Sequence, residues 1–413
     1  MSSTPRSQYA DLSREELATL VRELLLIGQL IDRSGMAWCI SAFGREEMAQ
    51  VAIEEWGCAS PVYTQRMQQA LGFVGDDVPT IFKGLQLDIG APHQFLDFRF
   101  KIIDGHHGEF WLDHCGALAD VAPMGEDYVR AMCHDIEDPT FDATAVATTR
   151  RAQIRPLHRP PYDAPRDGVV CHWTITIDDS HPEAQDLPGL AAVRASVAAG
   201  VALAPVDPAD EGRADYSGPV RSDFPAEDFS HSALVRIADE LCVQMQLLNL
   251  SFVQAVRARA AADEQLTTIL RKQLTGVAGV AATRLRAALG LGSDERAALE
   301  VLRLLPMLGP SAYVDLDVDG ESQVLVVGRS PAHDDEGSWL RLLGPDWSAA
   351  LDAAVHAVDP RFSVEVAGSD DEWRLAVVVG TERRVADEVA VTRFSTGTEW
   401  EFEPRRALPL TVV

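Results

Sequence analysis

Two stretches of the chain align without a gap: VYTQRMQQALGFVGDD (residues 62–77) and VAATRLRAALGLGSDE (residues 280–295). The identical positions are spread along both stretches: Val62/Val280, Arg66/Arg284, Ala70/Ala288, Leu71/Leu289, Gly72/Gly290 and Asp76/Asp294. A repeat of this length and separation is typical of a duplicated domain and not of the short turns of a solenoid. The alignment therefore predicts that the chain contains the same folding unit twice, with Arg66 and Arg284 in the same structural role.

The features that follow each stretch also come in the same order. A strand with an Asp-Gly turn comes first, FLDFRFKIIDG (residues 95–105) and AYVDLDVDG (residues 312–320). A helix ending in Asp-Pro-x-Phe comes next, as DPTF (residues 138–141) and DPRF (residues 359–362), because the residue before a proline disfavours helical backbone. Two more strand-like runs complete each copy. We therefore expect Asp138-Pro139 to superpose on Asp359-Pro360.

Hydrophobic periodicity gives the elements of each copy. Ser13 and Glu16 form a capping box before an apolar stripe of helical spacing, and the strand from Phe95 alternates between apolar and charged residues. In the first copy we expect helices at 13–42, 45–71, 76–87 and 124–137, and strands at 95–102, 109–114, 153–158 and 169–177. In the second we expect helices at 232–259, 263–289, 293–305 and 346–357, and strands at 312–318, 323–327, 362–367 and 373–379.

These elements predict an α+β fold, a tandem duplication of a unit with N-terminal helices followed by a ββαββ module. The first copy covers residues 12–178, a Pro-rich acidic linker covers 179–230, and a degenerate second copy covers 231–403. Two fused homologous halves are expected to pack about a pseudo-two-fold axis, as a pseudo-dimer.

Composition limits the classes of function. The 413 residues are 46% hydrophobic and 24% charged, with a net charge of −27, so nucleic acid and anionic membrane surfaces would be repelled. No apolar run is long enough to span a bilayer, and the first residues lack the apolar core of a signal peptide. The six cysteines form no small-scaffold framework and are interpreted as free thiols or ligands. We therefore expect a cytoplasmic protein with a small-molecule partner and leave its oligomeric state open.

The first copy is rich in His and Cys, and the second has neither at the corresponding places. Imidazole with two thiolates suits Zn²⁺ or Fe²⁺, which predicts a metal site at Cys115, His158 and Cys171. A thiolate beside a base suits nucleophilic catalysis, which predicts Cys115 as nucleophile with His134 or Glu137 as proton carrier. The substrate would then contact His114, Trp111 and Trp173. The alternative is that the cysteines are packed core residues.

The order of features resembles the bacterial superfamily around L-2-amino-thiazoline-4-carboxylic acid hydrolase, in residues 12–178 and more faintly in 231–400. The matching segments are Glu55-Trp56-Gly57, Leu71-Gly72, LDHCGAL around Cys115, IEDP at 136–139 and HRPPYDAPRDGVVCHW at 158–173. In the last segment His158 stands where the relatives have a cysteine. The resemblance implies hydrolysis of a small ring or amide-like C–N bond without fixing the substrate.

Three functions therefore stay open at this point. The chain is a small-molecule hydrolase acting on a C–N bond, with or without a metal; a non-catalytic sensor that binds a small molecule or metal; or a structural partner in a complex. The sequence alone leaves open whether it is an enzyme.

Overall fold

The computed structural model describes residues 5–162, 168–319, 323–393 and 407–412. Within these ranges the chain combines long packed helices with two four-stranded antiparallel sheets, which confirms the α+β class. Three predicted features lie outside the described residues: the centre of the segment at 158–173, the glycine of the second Asp-Gly turn, and the last part of 231–403.

The first half places its long helices ahead of a sheet. Its helices are α1 (Arg14–Phe43), α2 (Arg45–Ala70), α3 (Val78–Gln86), α4 (Gly116–Val121), α5 (Glu126–Arg130) and α6 (Glu137–Val146). Its strands are β1 (Leu96–Ile102), β2 (His107–Cys115), β3 (Ala152–His158) and β4 (Cys171–Ile177), which lie side by side in the order β1-β2-β4-β3. A π-helical turn, Ala131–Ile136, joins α5 to α6.

The segment predicted as a linker packs against the helices. It contains α7 (Leu190–Arg194), α8 (Val197–Gly200) and a 3-10 turn at Ala226–Asp228. Tyr216 and Phe229 are completely buried, and the carbonyl oxygens of Ala199 and Val201 accept hydrogen bonds from Arg66 at 2.8 and 3.1 Å. The segment therefore packs on the helices and covers part of the hydrophobic core.

The second half repeats the order of elements. Its helices are α9 (His231–Arg257), α10 (Asp263–Ala288), α11 (Glu295–Leu304), α12 (Ala349–His356) and α13 (Asp387–Thr392). Its strands are β5 (Leu316–Asp319), β6 (Val324–Val327), β7 (Phe362–Gly368) and β8 (Trp373–Val379), in the order β5-β6-β8-β7. This strand order is the same as that of the first sheet.

The core lies where the long helices of the two halves interlock. α1 packs along α9, while α2 packs against α9 and α10 packs against α1. Each second helix thereby contacts the first helix of the other half. Leu24, Leu30, Leu241 and Leu248 are among the side chains completely buried there, and each contributes about 1.5–3 kcal/mol. Among the described residues, none of these helices is apolar enough along its length to cross a membrane.

Two arginines tie the halves together in the same way. The Arg66 guanidinium on α2 binds Glu240 on α9, with Nε–Oε2 and Nη2–Oε1 distances of 2.9 and 3.1 Å. The Arg284 guanidinium on α10 binds Glu23 on α1, with an Nη2–Oε1 distance of 3.0 Å. Both ion pairs are bidentate and largely buried. The prediction that Arg66 and Arg284 share one role is confirmed.

The ends of α2 and α10 also correspond. Gly72 and Gly290 have φ values of 62° and 59°, a left-handed conformation that glycine adopts without strain. After the glycine the second half is one residue shorter. Asp77 caps α3 by accepting from the Thr80 amide, and Asp294 caps α11 in the same manner. Asp294 therefore corresponds to Asp77, not to Asp76.

The two Asp-Pro pairs do not correspond, so the expected superposition was wrong. Asp138 lies at the beginning of α6, whereas Asp359 follows the end of α12. The helix also does not end at Asp138, because it continues through Pro139 to Val146. Proline is tolerated in the first turn of a helix, where its missing N–H is not needed, and here a π-helical turn precedes that first turn.

A different aspartate marks the true correspondence. Asp142 on α6 accepts a hydrogen bond from the Ile154 amide of β3 at 2.9 Å. Asp352 on α12 accepts one from the Val364 amide of β7 at 2.8 Å. Each bond fixes a helix to the edge strand that follows it in the chain, and together the two bonds place Asp142 and Asp352 at corresponding positions.

Replacing Arg284 by Met should lower the free energy of unfolding by about 2 kcal/mol, because it leaves the Glu23 carboxylate buried without its charged partner. Denaturant unfolding measures the change, and Arg296→Met, at an exposed position, is the control. The double variant Glu23→Gln with Arg284→Met should recover part of the loss. Equal stability of the wild type and Arg284→Met would contradict the role given to the pair.

Candidate functional site

A cavity of about 100 Å³ opens in the first half between α1, α2 and α6. Most of its wall is apolar. Met36, Trp56, Leu85, Phe95, Met132 and Phe141 are among the apolar side chains that line it. Six polar side chains interrupt this wall: Gln29, Asp32, Asp88, Glu137, Thr140 and Thr144. Such a cavity, apolar with a few convergent polar groups, is the usual form of a small-molecule site.

Asp32 lies on the buried face of α1 and is 7% exposed. Its Oδ1 accepts a hydrogen bond of 3.0 Å from the indole Nε1 of Trp56 on α2. Burial raises the pKa of Asp32 to about 6, although the Trp56 hydrogen bond and the charge of Arg33 both lower it. Asp32 is therefore an ionised carboxylate at neutral pH and can accept a proton at mildly acidic pH.

Asp88 follows α3, and both of its carboxyl oxygens accept hydrogen bonds. Its Oδ1 accepts from the Tyr63 hydroxyl and from the Gly90 amide, both at 2.7 Å. Its Oδ2 accepts from the Thr144 hydroxyl at 3.2 Å. Burial raises its pKa, and these hydrogen bonds oppose the rise. Because its acceptors are already occupied, Asp88 is suited to joining α2, α3 and α6 at the floor of the cavity.

Glu137 reaches the cavity from the first residue of α6. The π-helical turn before it, residues 131–136, interrupts the regular helix at this point, as such turns often do beside functional sites. Its Oε2 is buried and has no hydrogen-bond partner among the described residues. Burial raises the pKa of Glu137 to about 8, against the lowering effect of the nearby Arg159 charge. Arg159 is itself engaged, since it pairs with Asp138.

Glu55 lies on α2, one residue before Trp56, and is completely buried. Among the described residues neither of its carboxyl oxygens has a hydrogen-bond partner. Burial first, and the negative charge of Asp32 second, raise the pKa of Glu55 well above its ordinary value. A buried polar group without partners is rare and costs stability, and Glu55 lies next in sequence to Trp56, which lines the cavity.

Glu137 was predicted as a site residue from the sequence, whereas Asp32, Glu55 and Asp88 were not. The sequence nevertheless contains a signal for two of them. Asp32 interrupts the apolar stripe of α1, and Glu55 occurs at a position of α2 that helical spacing places inside. Charged residues on the buried face of a helix are uncommon unless they are paired or functional.

The two predicted thiols, Cys115 and Cys171, lie near each other and near Cys133 of the π-helical turn, in the buried interior. Cys115, Cys133 and Cys171 are buried, and each feels the charge of Glu137. A register shift in the β1–β2 pairing, between Leu96 and Phe98, turns Cys115 toward the core, where its Sγ caps α4. Burial raises the pKa of the Cys115 thiol to about 12 and that of the other two further. None of these thiols is activated as a nucleophile at neutral pH.

His158 is not brought to these cysteines. A second register shift, between Pro156 and His158, pairs His158 with His172 across β3 and β4. Their rings meet edge to face with centroids 5.9 Å apart, on the face of the sheet opposite to that of Cys171. This bulge decides the face on which His158 lies, because one extra residue turns every following side chain to the other face.

The remaining predicted residues do not line the cavity. Nε2 of His134 lies 2.9 Å from the carbonyl oxygen of Pro160, and burial lowers the pKa of His134. Burial also lowers the pKa of His114. Trp173 is completely buried against Phe141, while Trp111 contacts His172 on the outer face. Of the predicted site residues, Glu137 lines the cavity.

The metal prediction has no geometric support in the parts of the chain that are described. There, no three His, Cys, Asp or Glu side chains are arranged to hold a metal ion. Zinc or iron at Cys115, His158 and Cys171 stays a prediction that chemical analysis of the protein can address.

The second half does not repeat the carboxyl groups. Counting from the N-caps Ser13 and Ser230, Asn249 occupies the place of Asp32. Because α2 and α10 have the same length, Gln273 on α10 corresponds to Glu55 on α2. Because Asp142 corresponds to Asp352, Trp347 corresponds to Glu137. At these three places the first half has a carboxyl group and the second half does not.

Comparisons with protein-family models, with curated proteins and with solved structures found no match. The resemblance to the thiazoline carboxylic acid hydrolase superfamily therefore stays a prediction, and the geometry of the cavity carries the functional argument.

Replacing Glu137 by Gln should remove a pH-dependent loss of stability. Between pH 4.5, its ordinary pKa, and about pH 8 the folded chain holds a proton that the unfolded chain has released. The wild type should therefore lose up to about 1.4 kcal/mol per pH unit relative to Glu137→Gln across this window, and no more above it. Thermal unfolding along a pH series measures this, with the exposed Glu126→Gln as control. Parallel curves would contradict the raised pKa.

The buried thiols should be chemically silent in the folded protein. Six free cysteines, all buried, predict that an aromatic disulfide reagent at mildly alkaline pH titrates less than one thiol in the native protein and six after denaturation. Rapid native reaction that disappears in Cys115→Ser would instead support the thiol nucleophile.

Proposed function

We propose that the first-half cavity binds a small molecule with a compact apolar body and a nitrogen group that donates hydrogen bonds, such as an ammonium or amidinium group. The observation that carries the proposal is the chemistry of the unpartnered wall atoms. Gln29 Oε1 and Glu137 Oε2 are buried and lack hydrogen-bond partners among the described residues, and both are oxygens. A donor-rich ligand would satisfy them.

Charge supports the same ligand. Asp32, whose pKa of about 6 leaves it mostly ionised at neutral pH, stands in a cavity wall that is otherwise largely apolar. A carboxylate in such a place attracts a cation more strongly than one in bulk water. The volume of about 100 Å³ limits the buried part of the ligand to a few heavy atoms.

Binding a cation should release a proton. At neutral pH most Glu137 side chains are protonated, because their pKa is raised to about 8. A positive charge next to this carboxyl lowers its pKa, so the cation and the proton compete. The affinity for an amine should then increase from pH 6 toward pH 8, which a neutral ligand would not show.

Hydrolysis of a C–N bond is the second candidate, favoured by a different observation. The pKa values of Asp32 and Glu137, about 6 and about 8, lie on either side of neutrality. A base with the lower pKa and an acid with the higher one are the pair that general acid–base catalysis needs. Asp32 would take a proton from water, and Glu137 would protonate the leaving nitrogen. The Cys115 thiol has no part in this scheme.

The proposal extends to the origin and location of the chain. The shared strand order, the equal lengths of α2 and α10, and the reciprocal Arg66–Glu240 and Arg284–Glu23 pairs support a tandem duplication packed as a pseudo-dimer. Buried free thiols fit a reducing compartment, and we place the protein in the cytoplasm.

Calorimetric titration with butylamine and with acetamidine tests the binding proposal. Both should bind saturably, more tightly at pH 8 than at pH 6, with proton release detected in buffers of different ionisation enthalpy. Asp32→Asn should weaken binding at least about tenfold, and Glu126→Gln, far from the cavity, should not.

Butanol and butyrate are the matched ligands without the positive charge. Equal binding of butyrate and butylamine would overturn the assignment of a donor ligand. Release of ammonia from small amides and cyclic amides, abolished in Glu137→Gln, would establish the hydrolytic candidate in addition to binding.

A further inference from the structure

A second cavity, of about 440 Å³, lies in the second half beside α10. Its lining differs in chemistry from that of the first. Arginine side chains contribute much of the wall, with Trp347 as an aromatic surface and aspartates at the rim. Nothing in the proposed function of the first-half cavity accounts for it.

Arg271 is the central feature of this cavity. Its guanidinium lies over the ring of Trp347, with Cζ 5.1 Å from the ring centroid. Its Nε is buried and has no hydrogen-bond partner among the described residues, and no carboxylate there pairs with it. Stacking fixes the plane of the guanidinium, and its terminal Nη1 and Nη2 groups have no hydrogen-bond partner among the described residues, so they can donate to a planar anion.

Arg341 brings a second cation to the same cavity. Its Nη1 donates to the carbonyl oxygen of His333 at 3.0 Å, and within the described ranges it forms no ion pair. Arg329 differs, because Asp334 and Asp371 already pair with it. Two guanidinium groups without a carboxylate partner thus face one cavity in a chain whose net charge is −27.

We propose that this cavity binds a small organic carboxylate, with Arg271 and Arg341 holding the carboxylate and the organic body lying beside the Trp347 side chain that lines the cavity. The rim aspartates select between anions. Asp346, Asp370 and Asp371 also line the cavity and would repel a doubly charged phosphate more than a singly charged carboxylate.

The two cavities are then opposite in polarity at related positions. Trp347 occupies the place that Glu137 has in the first half, so an acid in one cavity is replaced by an indole under an arginine in the other. The first accepts a cationic group and the second an anionic one. The site is independent of the proposed function, and its ligand differs from that of the first cavity.

Quenching of tryptophan fluorescence by benzoate tests the proposal, with calorimetry as a second readout. Benzoate and acetate should bind saturably at low salt and more weakly as salt is added. Arg271→Met should weaken benzoate binding by about tenfold or more, and Arg341→Met should weaken it as well. Arg296→Met removes the same charge from an exposed position of α11 and should leave binding unchanged.

The controls separate the possible failures. Glu137→Gln should leave benzoate binding intact, so failure of the amine site and failure of this one are distinguishable. Thermal unfolding reports whether Arg271→Met folds; if it does not, Arg341→Met, whose side chain is exposed, decides. Absence of saturable benzoate binding, or equal binding by the wild type and the folded arginine variants, would overturn the site. Tighter binding of inorganic phosphate would overturn its assignment to a carboxylate.

Discussion

The packing of each half's long helices against those of the other half is the constraint on which the rest of the structure depends. Because α2 packs against α9 and α10 against α1, neither half can bury its long helices alone. The bidentate pairs Arg66–Glu240 and Arg284–Glu23 fix the register of this helix packing, because a guanidinium group can bind a carboxylate through two hydrogen bonds in few orientations. The apolar contacts around them supply most of the free energy, and the ion pairs specify which helix faces which.

This core explains how the first half can hold several buried acids. A carboxyl without partners, such as that of Glu55, costs stability, and a small isolated domain could not carry several of them. Here α1 and α2 are held by the second half on the side away from the cavity. Asn249 and Gln273 stand at the matching places there, so the second half keeps the polar shape without the charge. The two halves therefore differ more in the charge of these side chains than in the arrangement of their helices and strands.

Much of the fold could be predicted from the sequence, because helix caps, helix-ending glycines and alternation are local signals. Ser13 with Glu16 and the glycines after α2 and α10 marked helix ends correctly. The site was harder to predict from the sequence, because two β-bulges decide which face of the sheet Cys115 and His158 occupy. No pattern of single residues in the sequence predicts a β-bulge. The Asp-Pro alignment failed for a related reason. In a sequence, a proline usually indicates the end of a helix. In the first turn of a helix, however, proline is compatible with a helix that continues.

The buried carboxyls also indicate why the first half kept them. Removing charge from Glu55 or Asp32 by an amide would relieve the cost of burial without disturbing the helices, as the second half demonstrates at its matching positions. Stabilising changes of this kind commonly cost function where a destabilised site is needed for activity. The ionisable groups lie beside an apolar cavity in the first half, and amides stand at the matching places of the second, which is consistent with a role for the carboxyl groups in the cavity. A purely structural role for these acids offers no comparable reason for the difference between the halves.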